Sequence, residues 1–448
     1  MKNKLQLLAG TLILLHILIL LLIQFTSWPE MMLWPYLITK GWLPYRDIAI
    51  AHTPLMLIDL SIFYKLFGVG VFQLKIFTYL LILMLDVSVF VIAKKLWDEK
   101  TALFALASYI IVQPFYGGNG LWFDLYLVIP TLFTYYFLKQ KDYLFAGVFC
   151  ALSFLSKQTA VWFLIPIIYH FWSQGKLKWN KPLKDYIKGC LITSLLFVII
   201  LLALGIFDDF WFWALQFGIG KLPVAAGQVE LPVLSDFLKA ILPFTPLVFL
   251  IKDKNKEFIL WAFTGILGFY PRWELFHFQP ALPFLAIGLG VVATQLLKEK
   301  ELTKKYAFAA ISALSLFMIF RSHHRLFGLE DRFMEPEVIE VASVVDSLTE
   351  DNEPVYVANA WDNIYVLSDT LPPGYWTPNL EWYLELPGEQ DKIIEAIENS
   401  NVNVIVYKEF GEYIPKQLVD YINTNYTLYD QVGEYLILVK GNVFAKYY

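Results

Sequence analysis

The sequence predicts an all-α polytopic membrane protein of about 11 transmembrane helices, N-terminus in and C-terminus out, with a small C-terminal extracytoplasmic α/β domain. Three observations predict it. Of the 448 residues 58% are hydrophobic and 17% charged, which is too apolar for water-soluble domains of this length. The apolar residues form continuous blocks that approach the roughly 20 residues needed to cross the hydrocarbon layer. They do not alternate as barrel strands do, so an outer-membrane β-barrel is excluded. The charge also divides: residues 1–329 hold 29 Lys+Arg against 18 Asp+Glu, and residues 330–448 hold 6 against 22. The first part obeys membrane-topology rules, and the second is a soluble unit too acidic to attract nucleic acid.

Residues 5–25 follow Lys2 and Lys4 with no small-residue cleavage site, and read as a retained signal anchor. Further spans are expected near 72–93, 101–116, 121–138, 143–156, 158–172, 188–206, 235–251, 257–271, 278–297 and 306–320. Basic loops at Lys94/Lys95/Lys100, Lys139/Lys141, Lys176 to Lys188, Lys252 to Lys256 and Lys298 to Lys305 fall on the cytoplasmic side by the positive-inside rule. That parity allows one net crossing between residue 26 and Lys94. Segment 53–69, which contains Asp59 and Lys65 and ends in Gly68-Val69-Gly70, is therefore expected to hug the outer interface. The expected organisation is a transmembrane domain at 1–329, with a membrane-hugging first outer loop at 26–71, and an acidic domain at 330–448. In the latter, helices at 336–349, 389–400 and 412–424 alternate with strands at 354–359, 402–408 and 434–440. Cys150 and Cys190 both lie in apolar segments, so no disulfide framework is encoded.

The unusual polar residues map to the outer loops. Glu30 stands just past the first span, where apolar surroundings raise a carboxylate toward the range of a general base; the alternative is a solvated interface residue. Asp124 enters an apolar span, where an unpaired carboxylate costs about 2.5–3.5 kcal/mol, so a positive partner is required. Lys75, Lys157, Lys221, Arg272 and His277 map to the same face, against the positive-inside trend, and a phosphate or pyrophosphate ligand accounts for such a cluster. The alternative for them is snorkelling to headgroups. Arg46-Asp47 reads equally as a local ion pair. In PRWELFHFQP (271–280) one His and one Glu are too few for a metal site, and none is assigned. The aromatic run DFWFWALQF suits an interfacial belt better than a sugar platform.

Four patterns in order carry a family likeness. They are Glu30 followed by GWLPYRD (Tyr45, Arg46, Asp47) and His52-Thr53-Pro54, with Lys75 beyond; Asp124 opening a span; AGVFCALSFLSKQTA with Lys157; and Arg272, His277, Phe278 and Pro280/Pro283. Over residues 5–300 the chain resembles the GT-C superfamily of membrane-embedded glycosyltransferases, the class of protein O-mannosyltransferases, aminoarabinose transferases and oligosaccharyltransferase catalytic subunits. It departs in having a lone Glu30 where Asp is commoner and Phe278 where Tyr is common. The resemblance implies transfer of a sugar from a polyprenyl-phosphate donor to a lipid, glycan or protein acceptor on the extracytoplasmic face, with inversion. Glu30 would be the base, Asp124 an orienting group, and Lys75, Lys157, Arg272 and His277 the phosphate ligands. Members differ in metal use, so no cofactor is assigned. It also implies a multi-pass location in the plasma (inner) membrane if the source is prokaryotic. The competing class is a transporter or lipid flippase, which places its charges near the midplane, often in two similar halves.

Overall fold

The computed structural model describes residues 2–175, 178–225, 228–251, 255–411 and 413–441; Lys176, Lys252 and Lys254 of the basic loops lie outside the described residues. In chain order the helices are α1 (Lys2–Leu22), α2 (Pro29–Thr39), α3 (Leu55–Phe67), α4 (Val71–Leu96), α5 (Glu99–Phe115), α6 (Phe123–Gln140), α7 (Tyr143–Ser156), α8 (Leu164–Ser173), α9 (Lys181–Ala203), α10 (Phe207–Phe210), α11 (Leu234–Ile241), α12 (Glu257–Ile266), α13 (Leu282–Lys298) and α14 (Leu302–Leu326). The tail adds α15 (Pro336–Leu348), β1 (Tyr356–Ala358), α16 (Asn363–Leu367), α17 (Glu381–Leu384), α18 (Glu389–Asn399), β2 (Val404–Lys408), α19 (Lys416–Asn425), β3 (Tyr426–Val432) and β4 (Tyr435–Lys440).

Among the described residues five helices are long and apolar enough to cross a membrane: Lys4–Leu22, Val71–Leu96, Lys181–Ala203, Leu275–Lys298 and Leu302–Leu326. The other expected spans are shorter or broken. Residues 158–172 begin as a 3-10 turn over Gln158–Phe163 before α8, and 235–251 divide into α11 and a 3-10 stretch over Leu242–Leu250, where Pro243 and Pro246 interrupt the α-helical ladder. Segment 53–69 forms the 13-residue α3, which stops at Gly68 with φ +86°.

Packing groups the chain into two units, Met1–Phe25 with Ile76–Ile200 and Glu230–Leu329, and Thr26–Lys75 with Leu201–Val229 and Glu330–Tyr448. The break after Leu329 coincides with the charge reversal, but the first outer loop and 201–229 group with the tail instead of with the helices that precede them.

In the helical unit, residues Leu275–Lys298 form the hub and are mostly buried, whereas the apolar stretches of α1, α9 and α14 are mostly exposed. Close approach depends on small residues. A Cβ at Gly290 of α13 would lie 2.6 Å from the carbonyl oxygen of Thr101 on α5, and Gly147 of α7 and Gly189 of α9 abut each other's helix backbone. Asn119, in the Gly-rich turn before α6, donates to the carbonyls of Leu20, Ile23 and Gln24 and so anchors the end of α1. In the other unit a mixed sheet of order β1-β2-β4-β3 pairs β1 parallel to β2 and the remaining neighbours antiparallel. Strand β3 and the short α16 and α17 were not expected from the sequence; β3 is exposed at all but its end positions, so it lacks the apolar alternation that marks a strand.

Candidate active site

Two groups of expected site residues form, one in each unit. In the helical unit Asp124 sits in the first turn of α6, fully buried. Its Oδ2 accepts from Lys157 Nζ at 2.5 Å and from His277 Nδ1 at 2.9 Å, in the tautomer protonated there, and the two donors are 3.2 Å apart. Lys157 is the C-cap of α7, held extended at φ −161° between that helix and the following 3-10 turn, which aims the side chain inward instead of along a helix face. His277 lies in the 3-10 turn that leads into the hub helix. The positive partner that Asp124 requires is thus Lys157, assisted by His277.

The second carboxylate oxygen of Asp124, Oδ1, is shielded and receives no hydrogen bond from the described residues; the same is true of Thr159 Oγ1. Both lie 3.8 Å from where a Gly268 Cβ would stand. Two buried acceptors facing a glycine leave a polar niche, and buried polar atoms are rarely left without a partner unless a ligand or water supplies it. Nearby, Arg272 pairs with Glu230 at 3.8 Å, with both side chains substantially exposed. A cavity of about 400 Å³ borders this loop, lined by Trp273 and Glu274 with Lys239, Asp236 and Arg325.

In the other unit Glu30 occupies the first turn of α2, directly after Pro29. The residue is half-buried, but its Oε2 is shielded and unpartnered among the described residues. Burial pushes its carboxyl above the usual range, opposed by a hydrogen bond from its own backbone N–H. Trp28 and Trp34 flank it in sequence; Trp34 meets Trp376 edge to face at 5.8 Å, and Trp28 packs on Phe333 at 5.3 Å.

The PYRD segment is architectural. Tyr45 is buried at φ +71°, a left-handed conformation that costs about 1–2 kcal/mol, and its hydroxyl donates to the His52 carbonyl at 2.9 Å. Arg46 and Asp47 do not pair with each other: Arg46 Nε donates to Asp209 at 3.2 Å and its other arm to the Gly205 carbonyl, while Asp47 Oδ2 accepts from Leu43 N–H at 2.7 Å. Lys75, expected among the phosphate ligands, forms a 2.6 Å ion pair with Asp331 at the start of the tail. In the 207–217 run Trp213 and Phe217 are buried against Tyr383, with ring centroids at 5.7 and 4.8 Å, so only part of it, such as the 48% exposed Trp211, is available to a belt.

Sequence reading passed over a buried set within the helices: His16 Nδ1 contacts Asp86 at 2.9 Å and its Nε2 contacts Gln113 Oε1 at 3.2 Å. The signal was present, since His16 and Asp86 interrupt otherwise apolar spans. Asp362, which accepts from the Trp376 indole N–H at 3.3 Å, carried no such signal.

Residues 51–203 match the family model described as dolichyl-phosphate-mannose-protein mannosyltransferase, a stretch that includes Lys75, Asp124 and Lys157 and stops short of Glu30. No curated protein sequence matches the chain. The fold is matched by ArnT from Cupriavidus metallidurans, in a structure bound to undecaprenyl phosphate, with TM-score 0.68 at 11% identity over 98% of each chain. The oligosaccharyltransferase of Archaeoglobus fulgidus matches with TM-score 0.53 at 12% identity over 89% of this chain and 69% of that one. AglB from the same organism, in complex with an inhibitory peptide and a dolichol-phosphate, matches with TM-score 0.52 at 11% identity over 97% and 74%. These are GT-C glycosyltransferases, and the chain shares their fold from α1 through the tail.

Proposed function

We propose that the protein is an integral-membrane glycosyltransferase that moves a sugar from a polyprenyl-phosphate carrier to an acceptor on the extracytoplasmic face. The observation that carries this reading is the fold match over 98% of the chain to a transferase crystallised with undecaprenyl phosphate. Glu30 is the base: a carboxylate with one oxygen shielded from solvent is more basic than a solvated one. It takes the proton of the acceptor hydroxyl or amide as the acceptor atom bonds to the anomeric carbon. The bond from that carbon to the phosphate oxygen breaks, and the phosphate leaves with the electron pair. A single base and a phosphate leaving group give inversion at that carbon.

Lys157 and His277 bind the phosphate, and their shared carboxylate Asp124 fixes both donors, so that charge developing on the leaving group meets groups already oriented. Arg272 contributes longer-range charge. Lys75, tied to Asp331, serves the architecture of the outer loop. The N-terminus and the basic loops face the cytoplasm, and residues 330–448 the opposite side.

The test compares wild type with Glu30→Gln at matched membrane expression, using a panel of radiolabelled undecaprenyl-phosphate sugars and total membrane acceptors. Loss of transfer by at least about a hundredfold with donor binding retained is expected for a missing general base. Wild-type transfer in the variant would remove Glu30 from the chemistry.

A further inference from the structure

The turn that carries His277 is hung from the end of α5 by one side chain. Gln279, in the same 3-10 turn (Leu275–Ala281), is buried with no solvent exposure. Its Nε2 donates to the Gln113 carbonyl at 3.0 Å and to the Tyr116 carbonyl at 2.9 Å. Gln113 lies in the last turn of α5 and Tyr116 is its C-cap, so both belong to the carbonyls that a helix end leaves without an intrahelical donor. One amide group supplies both buried acceptors at once. The neighbours of His277 rest on the same segment. Phe278 stacks on Tyr116, with ring centroids 5.4 Å apart and planes at 17°, and a Cβ on Gly117 would stand 3.4 Å from Phe276 Cβ. The Tyr116 hydroxyl in turn donates to the Ala240 carbonyl at 2.6 Å.

The end of α5 is itself fixed from the other side. Gln113 Nε2 donates to the Gly118 carbonyl at 3.0 Å, and Gln113 Oε1 meets Nε2 of His16 at 3.2 Å; the Nδ1 of that ring lies 2.9 Å from Asp86. Gly118 has no room for a side chain: a Cβ there would stand 2.1 Å from Gln113 Nε2 and 2.5 Å from the Gln113 carbonyl oxygen. Asn119, next in the turn, holds the end of α1 through the carbonyls of Leu20, Ile23 and Gln24. The chain then reaches Asp124 in the first turn of α6. Residues 113–119 are thus a common support, continuous along the chain with Asp124 and hydrogen-bonded to the turn that carries His277.

We propose that Gln279 is a positioning residue for His277: its two bonds to the end of α5 set the depth of the Leu275–Ala281 turn, and so place His277 Nδ1 2.9 Å from the Asp124 carboxylate and 3.2 Å from Lys157 Nζ. This rests on the reading of Lys157 and His277 as phosphate ligands given above. Donors that stabilise a leaving phosphate act only if they already point at it when the charge develops, and a misplacement of about 1 Å costs up to roughly a hundredfold in rate. A 3-10 turn has poorer hydrogen-bond geometry than an α-helix and is seldom long, so its position is set from outside. The two carbonyls of α5 are that outside reference.

An amide that only ties two elements together predicts a different pattern. Its loss would lower stability, and activity with it, to the same extent whether or not an imidazole stands at position 277. An amide that acts through His277 has nothing left to position once that imidazole is gone. The two substitutions then combine with less than their summed effect on the rate.

The experiment uses the full chain with Gln279→Met, close to glutamine in length but without donors, with Gln279→Asn, which retracts the amide by one methylene, with His277→Ala, and with each Gln279 variant combined with His277→Ala. Transfer from the undecaprenyl-phosphate sugar that wild type uses is resolved into kcat and donor KM, and melting is read alongside. Imidazole signals of histidine-labelled protein are recorded by NMR, that of His277 being identified by its absence from His277→Ala. Gln279→Met is expected to lower kcat at least about tenfold with donor KM within about threefold, and Gln279→Asn to fall between it and wild type. Either should cost less than about twofold in kcat once His277 is alanine. The His277 signal should move in Gln279→Met more than any other imidazole signal. Wild-type kcat in Gln279→Met, an equal loss of kcat in both backgrounds, a loss confined to KM or an unmoved His277 signal would overturn the positioning. So would failure of both Gln279 variants to fold, which would assign the amide to stability alone. Wild-type transfer in His277→Ala would instead remove His277 from the phosphate site, and the NMR comparison, which needs no donor, would still decide whether Gln279 positions it.

Discussion

Lys157 and Asp124 form a buried pair whose members make sense only together. Taking a carboxylate out of water costs several kcal/mol, and here a lysine ammonium at 2.5 Å and an imidazole at 2.9 Å offset that cost on one oxygen while the other faces the Gly268 niche. Lys157→Met should therefore destabilise the protein by about 3–5 kcal/mol, and the double variant with Asp124→Asn should recover part of it, both read from thermal unfolding in detergent. The niche makes a separate prediction. A methyl group at Gly268 meets Asp124 Oδ1 and Thr159 Oγ1 at ordinary contact distance, whereas a leucine would fill the space. Gly268→Ala should transfer within about threefold of wild type, and Gly268→Leu should lose about tenfold or more by raising KM for donor or acceptor, since one blocked near-attack position is worth roughly that factor. Equal activity in both variants would show that nothing binds there.

The membrane elements are joined by polar contacts as well as by close packing. His16 on α1, Asp86 on α4 and Gln113 on α5 meet with no solvent exposure, so three helices that expose apolar faces elsewhere are fixed in rotation and depth at one point. His16→Leu leaves Asp86 buried without its principal partner and should cost about 3–5 kcal/mol; His16→Leu with Asp86→Leu should recover most of it, as chemical unfolding of the purified protein would register. The motif elements of the outer loop also act structurally. GWLPYRD is a knot in which Tyr45 reaches His52, Asp47 caps Leu43 and Arg46 crosses to Asp209, so these residues hold the loop that presents Glu30. A sequence pattern recurrent beside a catalytic position can mark the scaffold of that position as readily as its chemistry.

At the scale of the whole molecule, the soluble-looking tail belongs with the outer loop. Asn363 bonds to the Ser27 carbonyl, Asp331 to Lys75 and Asp369 to Tyr36 and Lys40, and Trp376 packs on Trp34. Ending the chain after Leu329 should therefore leave residues 26–75 without these partners. Limited proteolysis and hydrogen exchange should find that segment cut and exchanging at least about tenfold faster, while α5, α6 and α13 remain protected; an outer loop as protected as in the full chain would refute the dependence. Much of the design was legible beforehand. Continuous apolar blocks and their length indicated a helical membrane protein, because backbone groups in hydrocarbon must bond within their own helix. The charge reversal marked the tail, and a carboxylate at the head of a span announced a cation to come, since Asp124 could not be buried alone. Other features could not be read. Which of Lys75, Lys157, Arg272 and His277 would reach Asp124 depended on side-chain direction at helix ends, and Lys75 went to Asp331 because the tail folds back over the loop. Prolines and 3-10 turns broke segments whose hydropathy alone read as continuous. Asn363 sat in an acidic domain with nothing local to distinguish it. Its bond to the Ser27 carbonyl joins positions 336 residues apart, and that contact is a property of the tertiary structure because only the packed chain brings a tail amide to the entry of α2.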